Sequence, residues 1–358
     1  MERVQHKGRG AQANLPNRFE KLHIEYLPPE GSQDNENEFY DSQITTVFFK
    51  DYSKSVVTKN DSPDLYFDYS FNPYRGCEHG CIYCYARPSH EYLGFSSGID
   101  FETKIMVKEN SPALLEEFFN KKNYKPEIIM FSGNTDCYQP IERKLQLTRK
   151  CLEVCLKFGN PVSIITKNFL VVRDIDIITE LAKKNLVSVM LTITSLDKDL
   201  TSKMEPRTST PERRLKAIEE IAKNKIPVGV MIAPVIPGLN DEEIPEIVRE
   251  GAICGAVFAG YTILRLPYSV KDLFIDWLNR EFPDRVNKIL NRIKDIRGGK
   301  LNENEFRKRF KGEGEFAEAI RNLFIISCRK NNINLKKIEL TTEHFKKPSV
   351  HQLDLFNL

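Results

Sequence analysis

The sequence predicts an α/β fold built on a parallel sheet, and three observations carry that expectation. Short apolar, β-rich runs occur at residues 127–131, 162–165, 187–193, 228–232 and 257–264. Helical patterns separate them, and polar or glycine-containing segments directly follow the runs at 132–136, 166–168, 194–197 and 233–238. Strand-helix alternation of this kind implies right-handed βαβ units and a parallel sheet, whose chemistry sits at the C-terminal ends of the strands.

Each helix has its own signal. Ser111 and Pro112 read as an N-cap and a first-turn proline ahead of Leu114, Leu115 and Phe118, and Thr210 and Pro211 do the same ahead of Leu215, Ile218 and Ile221. Asp241 opens a third helix before Ile244, Ile247 and Val248, and further helical stretches run over 143–158 and 174–184. Beyond Pro267 the β signal stops, and patterns at 286–296 and 316–328 predict a helical C-terminal extension over 271–345. Residues 1–60 are polar, with an acidic stretch at 34–38, and read as an extended N-terminal arm ahead of a core at 61–270. A chain of 358 residues fits one barrel-type α/β domain with such extensions.

Composition narrows the class. With 41% hydrophobic and 29% charged residues the chain can bury a substantial core, which excludes global disorder. No run approaches the roughly 18 apolar residues of a membrane span, and the first residues lack the apolar core of a secretory signal, so the expected address is the cytoplasm, with no membrane partner. The net charge of +3 is uneven: residues 271–358 hold 19 Lys/Arg against 13 Asp/Glu, which leaves residues 1–270 slightly acidic. That surplus reads either as a solvated helical face, favoured by the mixing of Lys with Glu, or as a local contact for a polyanion.

Eight cysteines are too sparse for a disulfide scaffold, yet Cys77, Cys81 and Cys84 fall within eight residues. They lie in a loop that follows a strand predicted over 65–71, and Gly76 and Gly80 supply the backbone freedom that wrapping a cluster needs. Three thiolates satisfy three irons of a cubane and leave the fourth open to a chelating ligand such as the amino and carboxylate groups of a methionine-type molecule. Structural zinc would need a fourth ligand. His79 is badly placed to close a tetrahedron from inside the same tight turn, and no second CxxC pair exists, which favours iron-sulfur.

With these residues the chain resembles the radical S-adenosylmethionine (SAM) superfamily, whose signature is C-x-x-x-C-aromatic-x-C or its variant with the aromatic just before the last cysteine, here Tyr83. The resemblance covers about residues 65–267. Within the superfamily it is similar to the branch of spore photoproduct lyase and relatives named for DNA repair photolyase, through YRGCEHGCIYCYAR at 74–87, Thr166 and Lys167 after a strand, and Glu205, Pro206 and Arg207 before a helix. It implies a partial (β/α)6 TIM-type barrel, a 4Fe–4S cluster on Cys77, Cys81 and Cys84, and SAM cleaved reductively to a 5′-deoxyadenosyl radical. Tyr83 would pack near the adenine, and Ser132, Gly133, Asn134, Thr135 and Asp136 would receive the methionine amino group. Lys167 counts among the SAM contacts, Ser195 and Arg207 would serve the ribose or carboxylate, and Val235 and Ile236 would flank the adenine. Each of these has a structural alternative: Ser195 as a turn cap, Arg207 paired with Glu205 or Glu212, Val235 and Ile236 as core.

The resemblance further implies a one-electron donor of the flavodoxin or ferredoxin type and a nucleic-acid substrate, with lyase-like chemistry; modification of a peptide or small molecule is the alternative. A non-catalytic metal module that recognises nucleic acid is a third reading, against which the strand-end segments argue. One departure is specific: the lyases use a cysteine near the second-strand loop as hydrogen donor, and Gly133 or Asn134 stands there, with Cys137 a few residues later.

The chain closes with Gln352, Leu353, Asp354, Leu355 and Phe356 in a tail at 346–358. QLDLF matches the short peptide by which bacterial repair and replication proteins dock on the DNA sliding clamp, and an apolar tip of this kind is otherwise poorly solvated. Packing back onto the C-terminal helices is the alternative.

Overall fold

The apolar runs become strands because they alternate with helices that cover them on the outside. The computed structural model describes residues 6–19, 44–65 and 67–347. Along the chain the strands are β1 (Val47–Lys50), β2 (Val57–Lys59), β3 (Tyr69–Phe71), β4 (Tyr74–Arg75), β5 (Lys104–Val107), β6 (Ile129–Phe131), β7 (Val162–Thr166), β8 (Val187–Thr192), β9 (Val228–Val235) and β10 (Phe258–Ile263).

The main sheet runs β10-β9-β8-β7-β6-β3-β2, and the six strands from β3 to β10 pair in parallel and in sequence order. This is the strand plan of the expected partial (β/α)6 barrel. It stays open because β10 pairs only with β9 at one edge while β2 ends the other in an antiparallel pair with β3. Every residue of the central β8 is buried, as expected for a parallel strand covered on both faces. Helices Leu147–Phe158, Ile175–Lys183, Pro211–Lys223 and Ile244–Ile253 cover the outside through Leu152, Phe158, Ile178, Leu181, Ile218, Ile221 and Ile247, all fully buried.

A second core packs Ile82 and Tyr83 of the cysteine loop against Leu264, Leu266, Phe274 and Trp277. The last two belong to helix Val270–Glu281, so the C-terminal helices back the loop that carries the cysteines. Among the described residues no helix is long and apolar enough to cross a membrane.

The short strands were not legible in advance. β1, β5 and β4 form a separate three-stranded sheet, and all four residues of β1 are exposed, so no burial alternation marks it. β1 and β2 both fall inside the segment read as an arm. The strand expected over 65–71 starts only at Tyr69, because Asn60 and Ser62 organise a turn before it. Ser111 lies inside its helix with Asn110 in the capping position, its hydroxyl donating to the Lys108 carbonyl, and Thr210 occupies its N-cap without a side-chain capping bond.

Candidate cofactor site

The cysteine loop leaves β3 at the C-terminal edge of the parallel sheet, and its shape rests on left-handed glycines at Gly76 (φ 78°) and Gly80 (φ 69°), a conformation that side chains rarely adopt. Arg87 holds the loop from beneath. Its guanidinium is fully buried and donates to the carbonyls of Cys81 (3.0 Å), Gly80 (3.1 Å), Gly98 (2.9 Å) and Ser97 (3.2 Å), while pairing with Glu102. The other side of Glu102 accepts the backbone N–H groups of Gly10 (3.1 Å) and Ala11 (2.8 Å), so the N-terminal segment closes over the same spot. A Cβ at Gly10 would lie 1.9 Å from the Gly80 carbonyl oxygen, which leaves room for glycine alone.

The three thiols face a common region. Cys77 and Cys81 are buried and Cys84 is half-buried; burial pushes all three thiols up, and for Cys77 the neighbouring Asp136, Cys81 and Cys84 add to the rise. Buried, mutually close, unpaired thiols are poor company as thiolates without a metal, and ligation reverses that penalty by releasing their protons. Among the described residues no three His, Cys, Asp or Glu side chains converge tightly enough to chelate a single ion. A cubane asks for a different arrangement, one thiolate at each of three corners. The donor set of this loop fits that group.

Around the loop, the ends of the next strands bring most of the sequence-predicted residues to one mouth. After β6, Ser132 takes a left-handed φ of 74° and its hydroxyl accepts the Cys137 N–H (2.9 Å). Gly133 is pinned against Ser70, where a Cβ would meet the Ser70 side chain at 2.5 Å, and its carbonyl accepts the Tyr85 hydroxyl (2.8 Å). The amides of Asn134 and Thr135 both donate to Asn72 Oδ1, and the Thr135 hydroxyl donates to the Tyr74 carbonyl (2.9 Å).

Asp136 turns inward. Its carboxylate accepts Thr166 Oγ1 (2.8 Å), the Lys167 N–H (2.9 Å) and the Tyr138 N–H (2.9 Å) and stands 3.4 Å from His79 Nδ1. Burial works against its charge, but His79 and those donors outweigh it and hold the carboxyl at about 2. His79, fully enclosed, also reaches Asn168 (3.2 Å).

At β7 the Lys167 ammonium stands 5.9 Å from the Tyr83 ring. The Tyr83 hydroxyl donates to Glu205, which also accepts the Thr194 hydroxyl (2.6 Å) and pairs with the fully buried Arg214. Burial disfavours the Glu205 charge, yet Arg214 and Lys167 hold it below the ordinary range. Beside that charge the buried Tyr83 phenol is pushed well up and remains the donor.

Ser195, after β8, donates to Glu243 (2.6 Å), and Val235, the last residue of β9, and Ile236, just after it, are fully buried, with the Ile236 N–H held by Asn240 (2.6 Å). Arg207 pairs neither with Glu205 nor with Glu212. It pairs with Glu78 of the cysteine loop (3.4 Å) and donates to Thr46 Oγ1 (3.4 Å), and its side chain remains one-third exposed, with donors left for a carboxylate. Cys137 departs from the mouth: it sits in the main hydrophobic core, where burial raises its thiol well above the usual range.

Sequence reasoning passed over Arg87, Glu102, Arg214 and Glu243. Arg87 and Glu205 were inside the quoted motifs, but nothing in a linear reading says that Glu102, Arg214 and Glu243 are their partners or neighbours.

The comparisons with known proteins agree with this geometry. The family profile described as "Radical SAM superfamily" matches residues 71–251. An uncharacterized protein of Mycobacterium tuberculosis is 36% identical over 245 residues, spanning 68% of this chain and 72% of that one. An uncharacterized protein of Methanocaldococcus jannaschii is 34% identical over 175 residues, spanning 49% of this chain and 63% of its own. Among solved structures, spore photoproduct lyase complexed with dinucleoside spore photoproduct superimposes with a TM-score of 0.56 at 16% identity, over 79% of each chain, a likeness of fold. With the profile spanning its cysteine loop and parallel strands, the chain belongs to the radical SAM superfamily, whose members use a 4Fe–4S cluster and SAM.

Proposed function

We propose that Cys77, Cys81 and Cys84 hold the 4Fe–4S cluster and that SAM lies across the ends of β6 to β9, between the cysteine loop and Arg207. The observation that carries this reading is the placement of three free, mutually close thiols of one short loop beside polar strand-end groups from four successive strands. When bound, the cluster supplies one electron to SAM, giving methionine and a 5′-deoxyadenosyl radical that takes a hydrogen from the substrate.

The chain's own residues position and shield. Arg87 and Glu102 set the backbone of the loop, Glu205 and Lys167 fix Tyr83 over the mouth, and Arg207 offers a guanidinium to a carboxylate. Ser132, Gly133, Asn134 and Thr135 bring the backbone turn where an ammonium would sit, and Asp136 anchors that turn through His79 and Lys167. Val235 and Ile236 line the apolar flank. Ser195 orients the β8 end through Glu243.

The substrate of this reading is nucleic acid, the reaction lyase-like, the donor a flavodoxin or ferredoxin, and the setting the cytoplasm. Its support is the likeness of the 74–87 motif to the photoproduct-lyase branch. Placement of Cys137 in the core, away from the mouth, speaks against a hydrogen donation like that of the lyases. The test is anaerobic reconstitution followed by an assay for 5′-deoxyadenosine with reductant, SAM and candidate nucleic acids. Iron uptake with SAM cleavage stimulated by nucleic acid is expected; stoichiometric zinc without iron overturns the reading.

A further inference from the structure

Arginine side chains that leave a sheet edge half-buried ordinarily find a carboxylate or carbonyls, because an enclosed guanidinium without acceptors carries a desolvation penalty. Arg265 does not. It lies two residues beyond β10, on the same edge as the cysteine loop, and its Nε is buried without an acceptor; no hydrogen bond or ion pair to its side chain occurs among the described residues. Around it stand rings, other cations and Asp64, whose carboxylate is engaged by Arg309 and not by Arg265. The guanidinium stands 5.9 Å from the ring of Tyr85, the residue after Cys84, and 5.1 Å from that of Phe310.

From there the pattern continues outward. Arg309 lies 5.0 Å from the Phe310 ring and 4.5 Å from that of Phe306, which is exposed. Tyr85, Arg265, Phe310, Arg309 and Phe306 thus form one ladder of alternating rings and guanidiniums, from the residue beside the cluster ligands to the protein surface. Arg309 is answered by Asp64 (2.6 Å). Burial and the positive charge of Arg309 press against the charge of Arg265 while Tyr85 and Asp64 act the other way, and the buried Nε at the centre of the ladder still meets no acceptor.

Alternating aromatic faces and cations are what a single-stranded nucleic acid asks for, since bases stack on rings and each phosphate needs a positive donor. We propose that this ladder is a substrate track for a nucleic-acid strand, with a backbone phosphate at Arg265 and bases against Tyr85 and Phe306. The proposal rests on the radical SAM reading above, which it deepens by placing the strand beside the cofactor mouth. It also separates roles among the cations: Arg309 holds the ladder together through Asp64, and Arg265 is the free binder. If the ladder were mere packing, replacing Arg265 by a neutral residue would relieve a penalty and leave nucleic-acid binding untouched.

The test is an anisotropy titration of the reconstituted full-length protein with a fluorescein-labelled oligothymidylate of about a dozen nucleotides, repeated over a range of salt. Arg265→Gln should weaken binding about tenfold or more and reduce the slope of log affinity against log salt by about 0.7, the share of one single-strand phosphate. Phe306→Ala should weaken binding about five- to tenfold and leave the salt slope unchanged. Because Phe306 is exposed, that variant decides the matter if Arg265→Gln does not fold. Wild-type affinity and slope in both variants, or no oligonucleotide binding by the wild type at low salt, overturns the proposal. So does equal binding of a duplex, or a phosphoserine peptide that competes as well as the oligonucleotide. Reductive SAM cleavage by the wild type, measured without nucleic acid, keeps the outcomes apart: cleavage without strand binding sinks the track alone, and absence of cleavage and of iron sinks the family chemistry.

Discussion

Arg87 and Glu102, both fully buried, pair beneath the cysteine loop, and between them they bind the loop's carbonyls on one side and the amides of Gly10 and Ala11 on the other. An ion pair placed there ties the cysteine loop to the N-terminal segment through a single contact. Five donors in a rigid fork are used, which a lysine cannot replace.

Glu102→Ala should therefore cost about 3–5 kcal/mol in urea unfolding of the metal-free chain, since it strands a buried guanidinium. Arg87→Lys should lose stability and iron uptake together. A wild-type unfolding midpoint in both variants would show that the pair does not organise the loop.

Cys81→Ala should abolish uptake of the roughly four irons expected per chain, and with it the charge-transfer absorption of the cluster. Cys151→Ala and Cys137→Ala, both core positions, should retain it. Iron and absorption measured after anaerobic reconstitution check this, and full iron content in the Cys81 variant would remove that residue from the ligand set.

Arg207→Gln should weaken SAM binding about tenfold, the scale of one charge-assisted hydrogen bond, without changing iron content. Equilibrium dialysis of SAM against reconstituted protein reads the effect. Undiminished affinity would leave Arg207 as a structural partner of Glu78.

Asp136 links pH to stability. Its folded carboxyl titrates at about 2 against an ordinary 3.8, so the folded state releases the proton more readily, and this contribution of about 2 kcal/mol is fully present above pH 4. It drains away as pH falls from about 4 to 2. In the metal-free chain, Asp136→Asn should be less stable than wild type at pH 5, and the gap should close by about pH 2; a constant gap would refute the linkage.

The clamp motif at residues 352–356 lies outside the described residues, and its prediction stands on sequence alone. A peptide covering residues 350–358 should bind purified sliding clamp with micromolar affinity, and its Leu355→Ala/Phe356→Ala form should not, since two buried apolar side chains supply about 1.5–3 kcal/mol each before ordering costs. Calorimetry decides it: equal binding, or none by either peptide, discards the motif.

Periodicity and spacing made the parallel strands, their covering helices and the cysteine loop readable in the linear chain, because these depend on local pattern and on residues a few positions apart. The same reading could identify Ser132, Lys167, Ser195 and Val235 as strand-end residues, since the ends of the runs were visible. It could not say that Arg207 answers Glu78, that Glu102 closes Arg87 to Gly10, or that Cys137 turns into the core. Nor could it find β1, whose four exposed residues carry no alternation, or the ladder that joins Tyr85 to Phe306 across 221 positions of the sequence. Partner choice of this kind is decided when distant segments are packed into one low-dielectric space, where each buried charge must find its acceptor and only the tertiary arrangement says which acceptors are within reach.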